Sequence, residues 1–175
     1  MNLVGPGGVS MPQRSRRVVV VAHCHLNVNT KVRGLACYEG VRADVIAPLI
    51  GQGVGIVQLP CPEATFLGMR RWGMTVEQYD TPAYRRHCRT ILRTTIDTLR
   101  LLADDGCAIE GVLGVEGSPS CGVETTCGGY AGGELEDAAG QQAARVAGRG
   151  VFIGELRAML DEAGLGDVPL RGVED

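Results

Sequence analysis

The amino-acid sequence predicts a small three-layer α/β fold on a mainly parallel four-stranded sheet, with a ligand site at the carboxyl ends of the strands. Three observations carry this. Residues 17–23 (RVVVVAH) form a β-branched run without polar alternation, as in a strand buried on both faces. Two further apolar runs, 54–59 and 109–115, are separated from it and from each other by helical patterns. Each of the three runs is followed by a cysteine: Cys24, Cys61 and Cys121.

The elements follow in chain order. Residues 1–16 hold Gly, Pro, Ser and Gln and predict a disordered tail, leaving 17–175 as a single domain. After the first strand comes a polar loop, 25–40, with Lys31, Arg33 and Cys37. Residues 41–52 predict a helix with Val45, Ile46, Leu49 and Ile50 on one side, kinked or shortened by Pro48 and stopped by Gly53. The second strand closes in Pro60-Cys61-Pro62-Glu63, where two prolines predict a stiff turn rather than strand or helix. A long loop, 64–80, follows. Thr81-Pro82 is an N-cap with proline at the first helical position. The helix to about Asp104 carries a buried stripe through Tyr84, Cys88, Ile91, Leu92, Thr95, Leu99 and Leu102, with arginines on its wet side. Gly106 ends it. The third strand leads into Glu116-Gly117-Ser118-Pro119-Ser120-Cys121-Gly122, a tight turn. Residues 122–150 predict a mobile loop with one short helix near 136–147. A final amphipathic helix spans 151–163, and 168–173 predicts a fourth strand.

Composition bounds the rest. At 175 residues the chain buries about 70% of its unfolded surface, enough for a core without staples. A net charge of -3 with interspersed signs, and only a short basic run at 14–17, gives no nucleic-acid footprint. No apolar stretch spans a membrane and no secretory signal is visible, so a cytoplasmic protein is expected. Seven cysteines are then not a disulfide framework. Cys88 and Cys107 are expected to pack, and Cys37 and Cys127 to be loop residues, or else a fourth ligand or a sulfur relay. The 26 glycines are about twice the usual share, and their clustering around cysteines fits close backbone approach to a cofactor or plain mobile loops.

If the three strands are parallel, Cys24, Cys61 and Cys121 lie along one sheet edge, one on each strand end. Three converging thiolates suit a soft metal or an iron–sulfur cluster. A [4Fe-4S] cluster takes four cysteines, so three leave one iron open to water or substrate, an arrangement for Lewis-acid chemistry. His23 and His25 flank Cys24. A continuous strand would point them to one side and Cys24 to the other, which disfavours a zinc site made of all three.

The pattern of strand-Cys24, then Cys61-Pro62-Glu63, then Gly117-Ser118-Pro119-Ser120-Cys121-Gly122 resembles the TudS-type thiouracil desulfidases and their bacterial relatives. The stretch Arg71-Trp72 with Gln78-Tyr79-Asp80-Thr81-Pro82 resembles a TudS-related subgroup of desulfidases. The resemblance implies an iron–sulfur-dependent enzyme. Cys24, Cys61 and Cys121 would hold a [4Fe-4S] cluster, with one iron not ligated by protein. That iron would take the sulfur of a small thiocarbonyl substrate. It also implies catalytic roles for Glu63 and Ser118.

The chemistry of the residues is compatible with those roles. Glu63 is placed to accept the proton of an attacking water, or else caps the following turn. Ser118 either contacts substrate or stabilises its own turn. Lys31 stands near where the family carries an arginine and is a candidate substrate contact. Arg70 and Trp72, beside Arg71, either clamp an anionic or aromatic substrate or anchor a loop. Two other functions use the same cysteines: a non-enzymatic iron–sulfur sensor or carrier, and a zinc-dependent hydrolase.

Overall fold

The computed structural model describes residues 13–133 and 143–174. Most of the expected tail, residues 1–12, lies outside them. So do residues 136–142 of the short helix expected near 136–147.

β1 (Arg17–Val21) is the strand around which the sheet is ordered. It pairs in parallel with β2 (Gly55–Gln58) on one side and β3 (Ala108–Val115) on the other. β6 (Leu170–Val173) adds to the far edge of β3, also parallel, giving the order β2-β1-β3-β6. The α/β class and the four parallel strands are as the sequence predicts. Alternating side chains of β1 face two different cores. Val19 and Val21 pack with Ile46 and Val54 beneath α2 (Ala43–Gly51). Val20 packs with Leu92, Leu99 and Phe152 on the side of α5 (Pro82–Asp104) and α6 (Val151–Glu162). Both faces are therefore covered, which is why β1 has no polar alternation. Burying a side chain such as Phe152 contributes roughly 1.5–3 kcal/mol.

α5 begins where expected, with Thr81 as N-cap accepting from Tyr84 N and Pro82 at the first position. Its buried stripe holds Tyr84, Cys88, Leu92, Thr95 and Leu99, and adds Ile96; Ile91 and Leu102 are only half-buried. The arginine face is not simply wet. Arg85 and Arg89 hold Glu155 of α6 at 2.7 and 3.3 Å, and Arg89 also holds Glu162 at 2.7 Å. His87 is half-buried and hydrogen-bonds the Thr65 hydroxyl at 2.8 Å.

Three further expectations change. Residues 64–80 are not one loop: α3 (Pro62–Leu67) and α4 (Val76–Tyr79) lie within or beside this stretch. α4 starts with a Thr75/Gln78 capping box. Pro62 does not forbid a helix; it occupies the first position of α3, where its missing N–H costs nothing. The segment 122–150 is not all loop, since β4 (Thr125–Gly128) and β5 (Ala144–Ala147) pair antiparallel. Ala144 to Ala147 is thus strand where a helix was expected. Among the described residues, no helix is long and apolar enough to cross a membrane.

Candidate functional site

The strand order places the site. From β1 the chain crosses to β2 on one side, then returns over β1 to β3 on the other. The crevice beyond the carboxyl ends of β1 and β3 is therefore a topological switch point, where open α/β sheets bind ligands.

Cys24 sits just past β1 in a single helical turn, α1 (His23–Leu26). That turn is pinned to β3 by His25, which is fully buried and donates from Nε2 to the Gly114 carbonyl at 3.0 Å. Tyr38 donates its hydroxyl to the Cys24 carbonyl at 3.1 Å. Burial lowers the His23 pKa, opposed by a hydrogen bond at the Leu59 backbone. Neither histidine lines the cavity described below, and His25 serves the fold.

Cys61 is the N-cap of α3, its sulfur accepting from Ala64 N at 3.4 Å. The Thr65 hydroxyl donates to the Cys61 carbonyl at 2.8 Å and is itself held by His87. Glu63 falls in the first turn of α3, so the proline-flanked cysteine and the carboxylate share one rigid helical start.

Cys121 lies in the turn after β3. Ser118 Oγ accepts from Cys121 N at 3.0 Å and from Ser120 N at 3.3 Å, while Gly122 N donates to Ser118 O at 3.0 Å. Ser118 thus stabilises this turn, and its hydroxyl proton remains to be donated. Tyr84 of α5 hydrogen-bonds Ser120 Oγ at 2.8 Å, and α6 binds the turn through Ile153 N to Ser120 O at 3.1 Å. The glycines here serve the chain itself rather than leaving room for a cofactor. A Cβ on Gly114 would lie 2.5 Å from the Cys121 carbonyl oxygen, and one on Gly122 would lie 2.0 Å from the Thr125 carbonyl oxygen. Because backbone must move to admit it, Gly122→Ala is expected to cost about 1–3 kcal/mol. Thermal unfolding should show a fall of about 3 °C or more; an unchanged midpoint would refute the close-packed turn.

All three thiols line one cavity of about 520 Å³. Burial pushes the Cys121 thiol well above its usual range, and the neighbouring Cys24 and Cys61, then Glu63, push it further. Three thiol sulfurs on one cavity wall are the donor chemistry of an iron–sulfur group. Among the described residues, no group of three or more His, Cys, Asp or Glu is placed to hold a metal ion. Cys88, by contrast, is fully buried in the α5 stripe, its thiol pushed up to about 12, chiefly by burial.

Glu63, Ser118 and Lys31 line the same cavity, as do Cys37 and Cys127. Arg70 and Trp72 do not. They border a separate shallow groove with Leu67, Arg71 and Met74, and Trp72 is 76% exposed. The arginine in the cavity is Arg71, its side chain only 4% exposed. Its Nε meets Glu63 Oε2 at 3.3 Å, and its other nitrogens donate to Gly68 O at 3.0 Å and Thr30 O at 2.6 Å. With these partners, Arg71 orients Glu63. Nothing in the dipeptide Arg70-Arg71 told the two apart beforehand; the end of α3 at Leu67 decides which one turns inward.

Glu116 also lines the cavity. Burial raises its pKa, but the Thr125 hydroxyl and the backbone N–H groups of 123–125 outweigh burial and leave it below the usual carboxylate range. Those bonds, 3.1 Å from Glu124 N and 2.7 Å from Thr125 N, tie β4 to the end of β3. Glu116 is a brace.

No protein-family model matches the chain. The uncharacterized protein MJ0003 of Methanocaldococcus jannaschii is 37% identical over 110 residues, which cover 63% of this chain and 70% of that protein. The chain belongs to the same family as MJ0003. A solved structure described as a [4Fe-4S]-dependent thiouracil desulfidase, TudS, aligns at 18% identity over 89% of this chain and 90% of that chain, with a TM-score of 0.48. In this chain three strand-end thiols and a buried Glu–Arg pair share one largely apolar cavity.

Proposed function

We propose that the protein is a cytoplasmic iron–sulfur-dependent desulfidase, acting as one domain over residues 17–175 on a small thiocarbonyl compound of the thiouracil class. The observation that carries this is the meeting of Cys24, Cys61 and Cys121, from three strand ends, in one cavity with Glu63. The motif resemblance to TudS-type desulfidases points the same way. Cys24, Cys61 and Cys121 would hold a [4Fe-4S] cluster and leave one iron without a protein ligand. When bound, that group supplies an open, sulfur-preferring Lewis acid for the substrate's sulfur.

The chain's own residues supply the rest. Glu63 takes a proton from the water that attacks the thiocarbonyl carbon, and Arg71 keeps its carboxylate aimed at the cavity. Ser118, its oxygen already accepting two backbone N–H bonds, donates its hydroxyl proton to a substrate heteroatom. Lys31 contacts the substrate's polar edge. Val32, Leu35, Met74 and Val115 line the wall and offer the substrate an apolar surface. One water enters; C=S becomes C=O and hydrogen sulfide leaves, with no change of oxidation state.

Anaerobic reconstitution tests the proposal. A brown protein with about four iron and four sulfide per chain is expected, releasing sulfide from 2-thiouracil. A brown protein inert towards thiocarbonyls would instead indicate a sensor or carrier. A colourless protein with stoichiometric zinc would indicate a zinc hydrolase.

A further inference from the structure

Tyr79 is a tyrosine where phenylalanine would pack equally well. It ends α4, is 2% exposed, and stacks at a tilt on Tyr84 with ring centroids 4.7 Å apart. Its hydroxyl is buried and, among the described residues, makes no hydrogen bond of good geometry. A polar group left so costs stability unless something satisfies it in the working state. Glu63 and Arg71 lie beside the hydroxyl and interact with it through hydrogen bonding as well as charge. Burial raises the Tyr79 phenol pKa, and Glu63 raises it further against the opposing effect of Arg71. The phenol therefore keeps its proton and is a donor.

The Glu63–Arg71 contact leaves something for a second donor to do. At 3.3 Å it is longer than a strong charge-assisted bond. Arg71 cannot close that gap freely, because Gly68 O and Thr30 O already fix its other nitrogens. A carboxylate held from one side by one long bond still turns about its own torsions. Tyr79 does not line the cavity, so it approaches Glu63 from behind the wall and not from the substrate side.

We infer that Tyr79 is a positioning residue for Glu63: its hydroxyl donates to the Glu63 carboxylate and, with Arg71, sets the direction in which that carboxylate faces the cavity. This rests on the desulfidase function proposed above, in which Glu63 is the base. Tyr79 touches neither substrate nor cofactor and acts only through Glu63.

Tyr79→Phe keeps the ring and removes only the hydroxyl. In the cluster-loaded protein, kcat for sulfide release from 2-thiouracil is expected to fall about tenfold, with KM and iron content within about twofold of the parent. Thermal unfolding gives a second measurement that needs no turnover. Removing a donor that serves Glu63 lowers the melting temperature by about 2–4 °C, whereas removing an orphaned hydroxyl raises it. In a Glu63→Ala background the same substitution is expected to lower it no further. An unchanged kcat, a raised melting temperature, or an equal fall in both backgrounds overturns the inference. If the parent releases no sulfide, the desulfidase proposal fails instead, and the paired melting temperatures still decide whether Tyr79 serves Glu63.

Discussion

Cys121→Ser is expected to abolish both cofactor binding and sulfide release while leaving the fold in place. The reason lies in the separation of two jobs within one turn. The turn is held by Ser118 Oγ accepting from Cys121 N at 3.0 Å and by Val115 N donating to Cys121 O at 2.8 Å, both contacts of the backbone of residue 121. Serine keeps those contacts and loses only the sulfur. A hydroxyl is a hard, weakly acidic ligand and a poor substitute for thiolate on iron. The remaining Cys24 and Cys61 arise from different strand ends and would have to hold the group alone. The expected observation is less than about one iron per chain after reconstitution, against about four in the parent, with far-UV circular dichroism unchanged. Full iron content in the serine variant would show that the ligand set is wrong. Loss of structure would show that the thiol itself supports the turn.

Glu63→Gln is expected to give the opposite pattern: iron retained, turnover lost. The side chain is the same length, and its amide oxygen still accepts from Arg71 Nε, so the buried arginine keeps its contact. What disappears is basicity. General-base assistance is typically worth about 10²–10⁴ in rate, so kcat should fall by about that factor with the visible absorption of the protein unaltered. Removing the side chain outright is a different experiment. Glu63→Ala leaves the Arg71 charge, 4% exposed, without its anion, and breaking a buried pair this way costs about 3–5 kcal/mol. A Glu63→Gln protein that turns over at the parent rate would assign the carboxylate to orienting Arg71 and the start of α3, not to proton transfer.

The buried strands were legible because their cause is local. Four consecutive valines in β1 have no polar face to offer, and both faces of the strand are indeed covered, by α2 on one side and α5 and α6 on the other. The start of α5 was equally legible, since Thr81-Pro82 is complete within two residues. The Thr75/Gln78 capping box was also there to be read, but only four residues of helix follow it, too few to show a 3.6-residue period. Pro62 was misjudged because proline breaks a helix interior yet starts one well, and only the direction of the chain beyond it decides. The β4–β5 hairpin escaped for a related reason. Its strands are four residues each, too short to show alternation, and they pair across a long glycine-rich connection.

By itself the sequence determined the parallel α/β class and the presence of a cysteine after each of three strands, because each follows from runs of neighbouring residues. Only the tertiary structure decided which polar side chains meet those thiols. It brought Arg71 into the cavity and left Arg70 and Trp72 outside. It made Glu116 a brace and His25 a strut, and it set the Tyr79 hydroxyl beside Glu63 and Arg71. Those assignments depend on where α3, α4 and the β3 turn end relative to one another. A shift of one residue at such an end reverses which side chain faces in, and no local pattern records it.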